Sequence, residues 1–524
     1  MNIDPASLQV IWGRLVATVD EAAATLVRTS FSTIVRDSND YACVITDVAG
    51  RSLAQSSLSI PSFIATLPRT VRAVLERYPA ESLAPGDVIV TNDPWLGTGH
   101  LPDLSMVVPI FRGSRLVAFA ATAAHLPDIG GRIRAPDARE LYEEGLRIPI
   151  TKLMAAGRVN AQLVELIEAN VRVPLQVMGD IWAQTSANNR SGASLLALMD
   201  DYGLDELTDL AAEIHGRSER AMRSAILAIP DGEYPFEVLG DGMEEPIRIR
   251  IAVLVRGDSL AVDYSGSSAQ VPYALNVVPA YTFAYTAFAL KCVLDPRLPN
   301  NEGCFSPLTV TAPPGSILNP HAPAPVGARA LTGHLLPPAV FGALHAALPG
   351  KVQAASGSPL WGIQLAGEEP SGRYAGLFFF NGGQGASSRR PGAHALSFPS
   401  NMAATPVEVI ERNVPLRVLE KSLRRDSGGA GRNQGGTGQV LRLLHVGSSS
   451  ASLSFMAERT KQPAFGLGGG GDGACGRVVL NGEEINPKFR FQLRPGDELT
   501  CETPGGGGYG EPVDSELTLT ATQD

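Results

Sequence analysis

One tetrapeptide occurs twice, as His100-Leu101-Pro102-Asp103 and His125-Leu126-Pro127-Asp128, 25 residues apart in a chain with only eight histidines. Between the copies lie two strand-like stretches, LSMVVPIF (104–111) and LVAFAATAA (116–124), joined by Arg112-Gly113-Ser114-Arg115. Apolar runs on either side of a short Gly-Ser break read as a β-hairpin. If the chain turns at Gly113-Ser114, facing residues have numbers that sum to about 227, and Pro102 faces His125. The two tetrapeptides then emerge side by side, and neighbouring strands are only about 4.8 Å apart. An imidazole and a carboxylate from each arm converge at the open end of the hairpin.

Neutral imidazole and carboxylate oxygen suit Zn²⁺, Mn²⁺ or Fe²⁺, and with no thiolate in the set the choice among them stays open. His100 and Asp103 stand at i and i+3, and His125 completes a three-ligand set. Asp128 is either a fourth ligand or a carboxylate that orients an imidazole without touching the ion. A single histidine at a strand end more often bonds a backbone carbonyl, so it is the pairing that argues for metal. Two more acidic segments reach toward the same place: Asp37-Ser38-Asn39-Asp40, before YACVIT, and Asn92-Asp93-Pro94, after VIVT. Beyond the second copy, Glu143, Glu144 and Arg147 cluster. Glu144 is a candidate general base and Arg147 a candidate holder of an anionic intermediate, with surface ion pairing as the plain alternative.

The rest of the chain reads as an α+β protein. Residues 4 to about 30 predict an opening helix, capped by Asp4, with Pro5 in its first turn and an apolar stripe at Ile11, Leu15, Val19 and Ala22. A hairpin over 40–55, a helix near 65–78 and a strand at Val88–Thr91 follow, and 159–228 is mostly helical, with Arg172 inside that helical stretch. After Pro230-Asp231-Gly232, alternation in IRIRIAVLV and SLAVDYS marks strands, interrupted by helices at 280–293 and near 336–347. From about 426 glycine is dense, in SGGAGRNQGGTG, GLGGGGDGACG and PGGGGYG, between strand-like stretches. These shifts divide the chain into a metal-binding α+β region (1–230), a mixed β/α domain (231–400) and a glycine-rich β region (401–524).

The formal charge is 43 − 53 = −10, and without basic runs nucleic acid is not an expected partner. The opening Met1-Asn2-Ile3-Asp4-Pro5 lacks the basic start and apolar core of a signal peptide, and no apolar stretch is long enough to span a bilayer. Five scattered cysteines without a CxxC pair imply neither a disulfide framework nor a zinc ribbon, so a cytoplasmic protein is expected. There is no GxxxxGK[ST] and no GxSxG. Gly466–Gly471 fits GxGxxG in letters but precedes a strand-like segment, so tight turns are the expected role. A phosphate-cradling or partner-docking loop is the alternative. His215, His334, His345, His394 and His445 lack companion acids at motif spacing and read as structural.

With these motifs in order, the chain resembles the hydantoinase B/5-oxoprolinase family from end to end. The segments that carry the resemblance include GDVIVTNDPWLGTGHLPD (86–103), AAHLPDIGG (123–131), EEGLRIPITKL (143–153), LPNNEGCFSPL (298–308), SGGAGRNQGG (427–436) and TPGGGGYG (503–510). The resemblance implies metal ligands at His100, Asp103 and His125, with Asp40 preferred to Asp128 as a fourth. It also implies a hetero-oligomer in which an A-type subunit of actin-like ATPase fold uses ATP to activate a small cyclic amide, a hydantoin, 5-oxoproline or a lactam. The alternatives are a subunit of an ATP-dependent ketone carboxylase and an assembly partner whose metal is structural.

Overall fold

The structure, a computed structural model, describes residues 4–358, 361–396 and 398–512. Met1–Ile3 of the opening segment and the stretch from 513 onward lie outside them.

Helix α1 (Pro5–Thr29) starts where the sequence places it. The Asp4 carboxylate accepts the N–H groups of Ala6 and Ser7, a cap of about 1 kcal/mol, and Ile11, Leu15, Val19 and Ala22 are buried. The short α2 (Thr33–Arg36) leads into β1 (Tyr41–Thr46) and β2 (Ser52–Gln55), followed by α3 (Thr66–Arg77) and β3 (Val88–Thr91). The long hairpin is β4 (Asp103–Arg112) and β5 (Arg115–His125); then come β6 (Thr151–Ala155) and β7 (Arg158–Val159). Among the described residues these strands form one sheet in the order β2-β1-β5-β4-β3-β6-β7, with β5 and β4 at its centre.

The 159–228 stretch is three helices, α4 (Ala161–Asn170), α5 (Pro174–Asp201) and α6 (Thr208–Ile226). Arg172 therefore sits in the break between α4 and α5, where Pro174 forces a new helix start, and not within a helix. One face of the central sheet packs on α1, α5 and α6, through Leu8, Leu15, Ala183 and Ile214 against Tyr41, Cys43, Ala118 and Ala120. The other face carries Ala42, Val44, Met106, Val108 and Phe119 into a larger core. Burial on both faces explains why YACVIT reads as a continuous apolar run without alternation.

The next sheet holds β8 (Gly232–Gly240), β9 (Ile247–Arg256), β10 (Ser259–Asp263) and, after α7 (Pro279–Leu294) and α8 (Glu302–Phe305), β11 (Leu308–Thr311). Here the alternation of IRIRIAVLV is real: Ile247, Ile249, Ile251, Val253 and Val255 are buried on one face only. Helices α9 (Arg329–Gly333) and α10 (Leu336–Leu344) follow. Then come β12 (Trp361–Glu369), β13 (Gly372–Phe380), α11 (Val407–Asn413), β14 (Leu416–Leu423), β15 (Gln439–His445), β16 (Ala451–Met456), β17 (Arg477–Leu480), β18 (Glu483–Ile485), β19 (Phe491–Leu493) and β20 (Glu498–Glu502). They make two further sheets, β13-β12-β16-β19 and β14-β15-β20-β17-β18. The larger core draws residues from Ile34 to Tyr509, so the regions are packed into one another.

Gly466–Gly471 does contain the expected tight turn, with Gly470 N–H donating to Leu467 O at 3.1 Å, but the glycine segments are more than turns. They lie against each other as hydrogen-bonded backbones: Gly383 N–H donates to Pro504 O at 2.9 Å, Gly436 to Gln384 O at 2.8 Å, Gly506 to Gly436 O at 2.9 Å and Gly508 to Gly471 O at 2.8 Å. A Cβ on Gly505 would collide with the carbonyl of Ser427, and one on Gly436 with that of Ala393. Close backbone approach is the requirement that glycine meets here.

The hairpin turns at Gly113-Ser114, as its sequence implies, and Arg112 pairs with Arg115. Farther along, the register departs from the expected sum. Ile110 pairs with Ala118 while Phe111 pairs with Leu116, so Val117 is an extra residue on β5. That bulge advances every later pair by one, and it is Asp103, not Pro102, that faces His125.

Candidate metal centre

The corrected register places chemistry in a row across three strands. Asp103, the first residue of β4, pairs with His125, the last of β5, and the His125 N–H donates at 3.1 Å to the carbonyl of Asp40, just before β1. Side chains of directly opposed residues project from the same face of a sheet. His125 Nδ1 accordingly lies 2.9 Å from Asp103 Oδ1 and 3.7 Å from Asp40 Oδ2. His100 enters from the turn before β4, with Nε2 2.7 Å from the same Asp103 Oδ1. One ligand atom from each of His100, Asp103 and His125 falls within 4.8 Å of the others, and all three residues are buried.

The close approach of His100 Nε2 to Asp103 is not a hydrogen bond. That nitrogen is buried without a hydrogen-bond partner, and so is Asp40 Oδ1. Leaving such atoms unpaired costs about 1–3 kcal/mol each, and a cation between them removes the cost. The donor set therefore fits a divalent metal on its own geometry.

Electrostatics point the same way. Burial, and then the Arg329 charge, push His100 well below its ordinary value, and burial lowers His125 against the pull of Asp103, so both rings are neutral and able to ligate. Burial works against the Asp103 charge, but the imidazole of His100 when protonated, and the permanently charged Arg329 guanidinium, outweigh it and hold that carboxyl well below its usual range; once the ring is neutral, Arg329 is the cation that remains beside it. Burial and the Asp103 charge raise Asp40 to about 8, a carboxyl that needs a cation beside it to ionise.

Arg329 shapes the ligand set. Its Nη2 donates to Asp103 Oδ2 at 2.7 Å, its Nε to Thr98 O at 2.8 Å, and the guanidinium sits 4.3 Å from the Tyr281 ring centre. Thr98 Oγ1 donates to the same Oδ2 at 2.7 Å, which leaves Oδ1 to face the histidines. Gly99, at φ +98°, makes room: a Cβ there would stand 2.9 Å from Arg329 Cδ and Nε. Asn92 ties the approach to the first tetrapeptide, donating to Leu101 O at 2.8 Å and Leu146 O at 2.9 Å.

Glu144 is buried, and its Oε1 accepts the N–H groups of Val326 and Gly327 at 2.8 Å each. The Gly327 carbonyl stands 3.4 Å from His100 Nδ1, so Glu144 holds by its N–H the same residue whose carbonyl meets the centre. Burial pushes its carboxyl up to about 8. Asp128 accepts from the Arg172 guanidinium at 2.7 Å, from the Arg172 N–H, and from Gly130 N–H at 3.3 Å. Arg147 donates its Nε to Asp93 at 2.9 Å. Among the described residues, neither Asp128 nor Arg147 bonds to the His-Asp cluster.

Sequence reasoning missed Arg329 and Arg134, whose charge acts on Asp40 and His125. A signal for the first was present: Arg329 is the only Asp, Glu, Lys or Arg between Glu302 and Lys351.

Comparison with known proteins agrees with this architecture. The chain is 30% identical over 543 residues to the B-type component of a putative D-/L-hydantoinase from Pseudomonas sp. (strain NS671), covering 98% of this chain and 91% of that one. The crystal structure of an ATP-dependent caprolactamase from Pseudomonas jessenii superposes with a TM-score of 0.89 at 29% identity, covering 99% of this chain and 94% of that one. An acetone carboxylase structure gives a TM-score of 0.88 over 98% of this chain and 77% of the other, but at 19% identity it shows a shared fold alone. The hydantoinase B/oxoprolinase family itself matches residues 4–512, and the chain belongs to that family.

Proposed function

We propose that this chain is the metal-bearing B-type subunit of an ATP-dependent cyclic-amide hydrolase. It opens a hydantoin, 5-oxoproline or lactam ring together with an ATP-binding A-type subunit, in a cytoplasmic hetero-oligomer. The observation that carries this reading is the buried His100–Asp103–His125 set, in a chain that matches hydantoinase and caprolactamase relatives nearly end to end. Among the described residues no helix is long and apolar enough to cross a membrane. The carboxylase reading rests on a likeness of fold at 19% identity and is the weaker one.

His100 Nε2, Asp103 Oδ1 and His125 Nδ1 would hold a zinc, manganese or iron ion, with Asp40 as the fourth ligand. Such an ion supplies Lewis acidity and a water of lowered pKa. The chain's own residues exclude bulk water by their burial, and Arg329 and Thr98 restrict Asp103 to one free oxygen. Glu144 positions His100 through the backbone of Gly327, whose N–H it accepts and whose carbonyl faces the ring. Asp128, clasped by Arg172, and Arg147, clasped by Asp93, brace the loops on either side. ATP is handled by the partner, which supports activation of an amide that water alone opens slowly.

Changing His100 or His125 to Ala is expected to remove stoichiometric metal, read by elemental analysis of the purified chain; full metal in both variants would sink the site. The chain alone should show negligible ring opening. Co-purified with its A-type subunit, it should give ATP hydrolysis stimulated by a hydantoin, 5-oxoproline or a lactam. Stimulation only by ketones with bicarbonate would transfer the assignment to the carboxylase reading.

A further inference from the structure

We propose that the free edge of β13 is a docking site for an extended, acidic peptide segment of a protein partner, which joins the sheet there as an added strand. In the sheet β13-β12-β16-β19, β13 is an edge strand and pairs with β12 on one side only. The N–H and C=O groups of successive residues in an antiparallel strand point to alternate sides, so about half of those on β13 face outward. Among the described residues, no backbone group from Arg373 to Phe379 makes a hydrogen bond outside this pairing.

The other sheet edges of this molecule are guarded. β2 and β11 are four residues long, β18 and β19 three, and β7 two. β8 carries Pro235, and β14 is bulged between Val418 and Glu420 and bears Arg417, Glu420 and Lys421. Shortness, proline, bulges and charge are the devices that keep a sheet from pairing with foreign strands. β13 runs nine residues in unbroken register without proline, and its one charge, Arg373, stands next to the turn.

What protects this edge is its setting. It borders a cleft of about 590 Å³ whose lining runs unbroken from Ser371 to Phe378, with α2 and α11 as the other walls. A slot walled on both sides takes one extended chain and refuses the edge of a second sheet. An added strand completes the outward backbone groups, and side chains then select the partner. The lining charges select acid. Arg412 has no carboxylate within ion-pair distance among the described residues, while Arg36 and Arg373 each meet a single acid, Asp37 at 3.5 Å and Glu368 at 3.4 Å. Surface pairs of this kind hold an arginine only weakly. Both carboxylates in the lining are taken: Glu369 accepts the N–H groups of Ser448 and Ser449, and Glu411 accepts that of Val418. Phe31, half-exposed, adds an apolar wall. A strand that alternates apolar and acidic residues meets both demands, because its successive side chains point to opposite faces.

The test uses the full-length chain and a fluorescein-labelled peptide, Val-Glu-Val-Glu-Val-Glu, read by fluorescence anisotropy. Saturable binding is expected, roughly tenfold tighter than that of the lysine counterpart, Val-Lys-Val-Lys-Val-Lys. Only one edge of an added strand faces β13. Methylating the backbone nitrogens of the valines, or instead those of the glutamates, should therefore give unequal results: one form loses roughly tenfold in affinity and the other binds as before. Hydrogen exchange should show new protection centred on residues 372–380. The double variant Arg373→Glu with Arg412→Glu changes two exposed positions and should melt like wild type. It should bind the glutamate peptide roughly tenfold more weakly and prefer the lysine one. Absence of saturable binding, equal loss in both methylated forms or in neither, or protection away from the cleft would each overturn strand addition. Unchanged affinity in the folded double variant would overturn the acidic partner.

Discussion

Gly99 shows how tightly a single residue can be determined by a side chain more than two hundred positions away. Its backbone is left-handed, and the space where a Cβ would stand is filled by Arg329. Gly99→Ala should therefore cost about 1–3 kcal/mol of stability from backbone strain and also disturb the metal centre. Arg329 is the more direct probe. Replacing it by Gln removes the charged partner of Asp103 Oδ2 and leaves that oxygen held by the Thr98 hydroxyl. Metal affinity should fall roughly tenfold to a hundredfold, as for other groups that orient a ligand, in a competition titration against a chelator. An unchanged affinity would mean that Asp103 is held without it. Asp40 was legible in the sequence as an acid before a strand, but its place beside His125 follows from a backbone bond between neighbouring strands.

At the scale of elements, the hairpin and the glycine segments carry the argument. The hairpin's turn was readable from Gly113-Ser114, and its strands from their apolar runs. Its register was not, because nothing in the two apolar runs marks Val117 as the extra residue on β5. The glycine segments invert the usual reading of such sequence. Density of glycine suggests mobility, yet these backbones are close-packed with carbonyls where side chains would otherwise be. Gly436→Ala or Gly505→Ala should each lower stability by about 3 kcal/mol or more, since backbone cannot rotate aside as a side chain would. The midpoint of guanidinium unfolding measures this, and a shift equivalent to less than about 0.5 kcal/mol would show that the array yields easily.

Across the whole molecule, the core joins residues from both ends of the chain, so pH effects on one buried group should be felt globally. His334 lies against Tyr285, with Nε2 3.0 Å from the phenol oxygen, and burial pushes it down to about 3. The unfolded chain takes up a proton near the ordinary value of 6.5, whereas the folded chain resists until about 3. Its contribution to stability is thus fully present above about 6.5 and is lost as pH falls from there toward 3. Between pH 6.5 and 5 the loss from this group should reach about 2 kcal/mol. The melting temperature of metal-loaded protein should fall over that range, and His334→Gln should flatten the slope. An identical slope in the variant would assign the acid sensitivity elsewhere.

By itself, the sequence determined the elements, the turn of the hairpin and the three residues most fit to ligate a metal. Periodicity, capping and turn chemistry are local, and His100, Asp103 and His125 are separated only by one hairpin. The tertiary structure decided everything that depends on residues remote in the chain. It set the one-residue shift that brings Asp103 opposite His125, and the arginine that leaves Asp103 a single free oxygen. It tied Asp128 and Arg147 into ion pairs of their own, and it held Arg134 between strands that begin more than two hundred residues later. Such contacts come from packing between surfaces, and no spacing rule along the chain encodes which distant side chain will arrive.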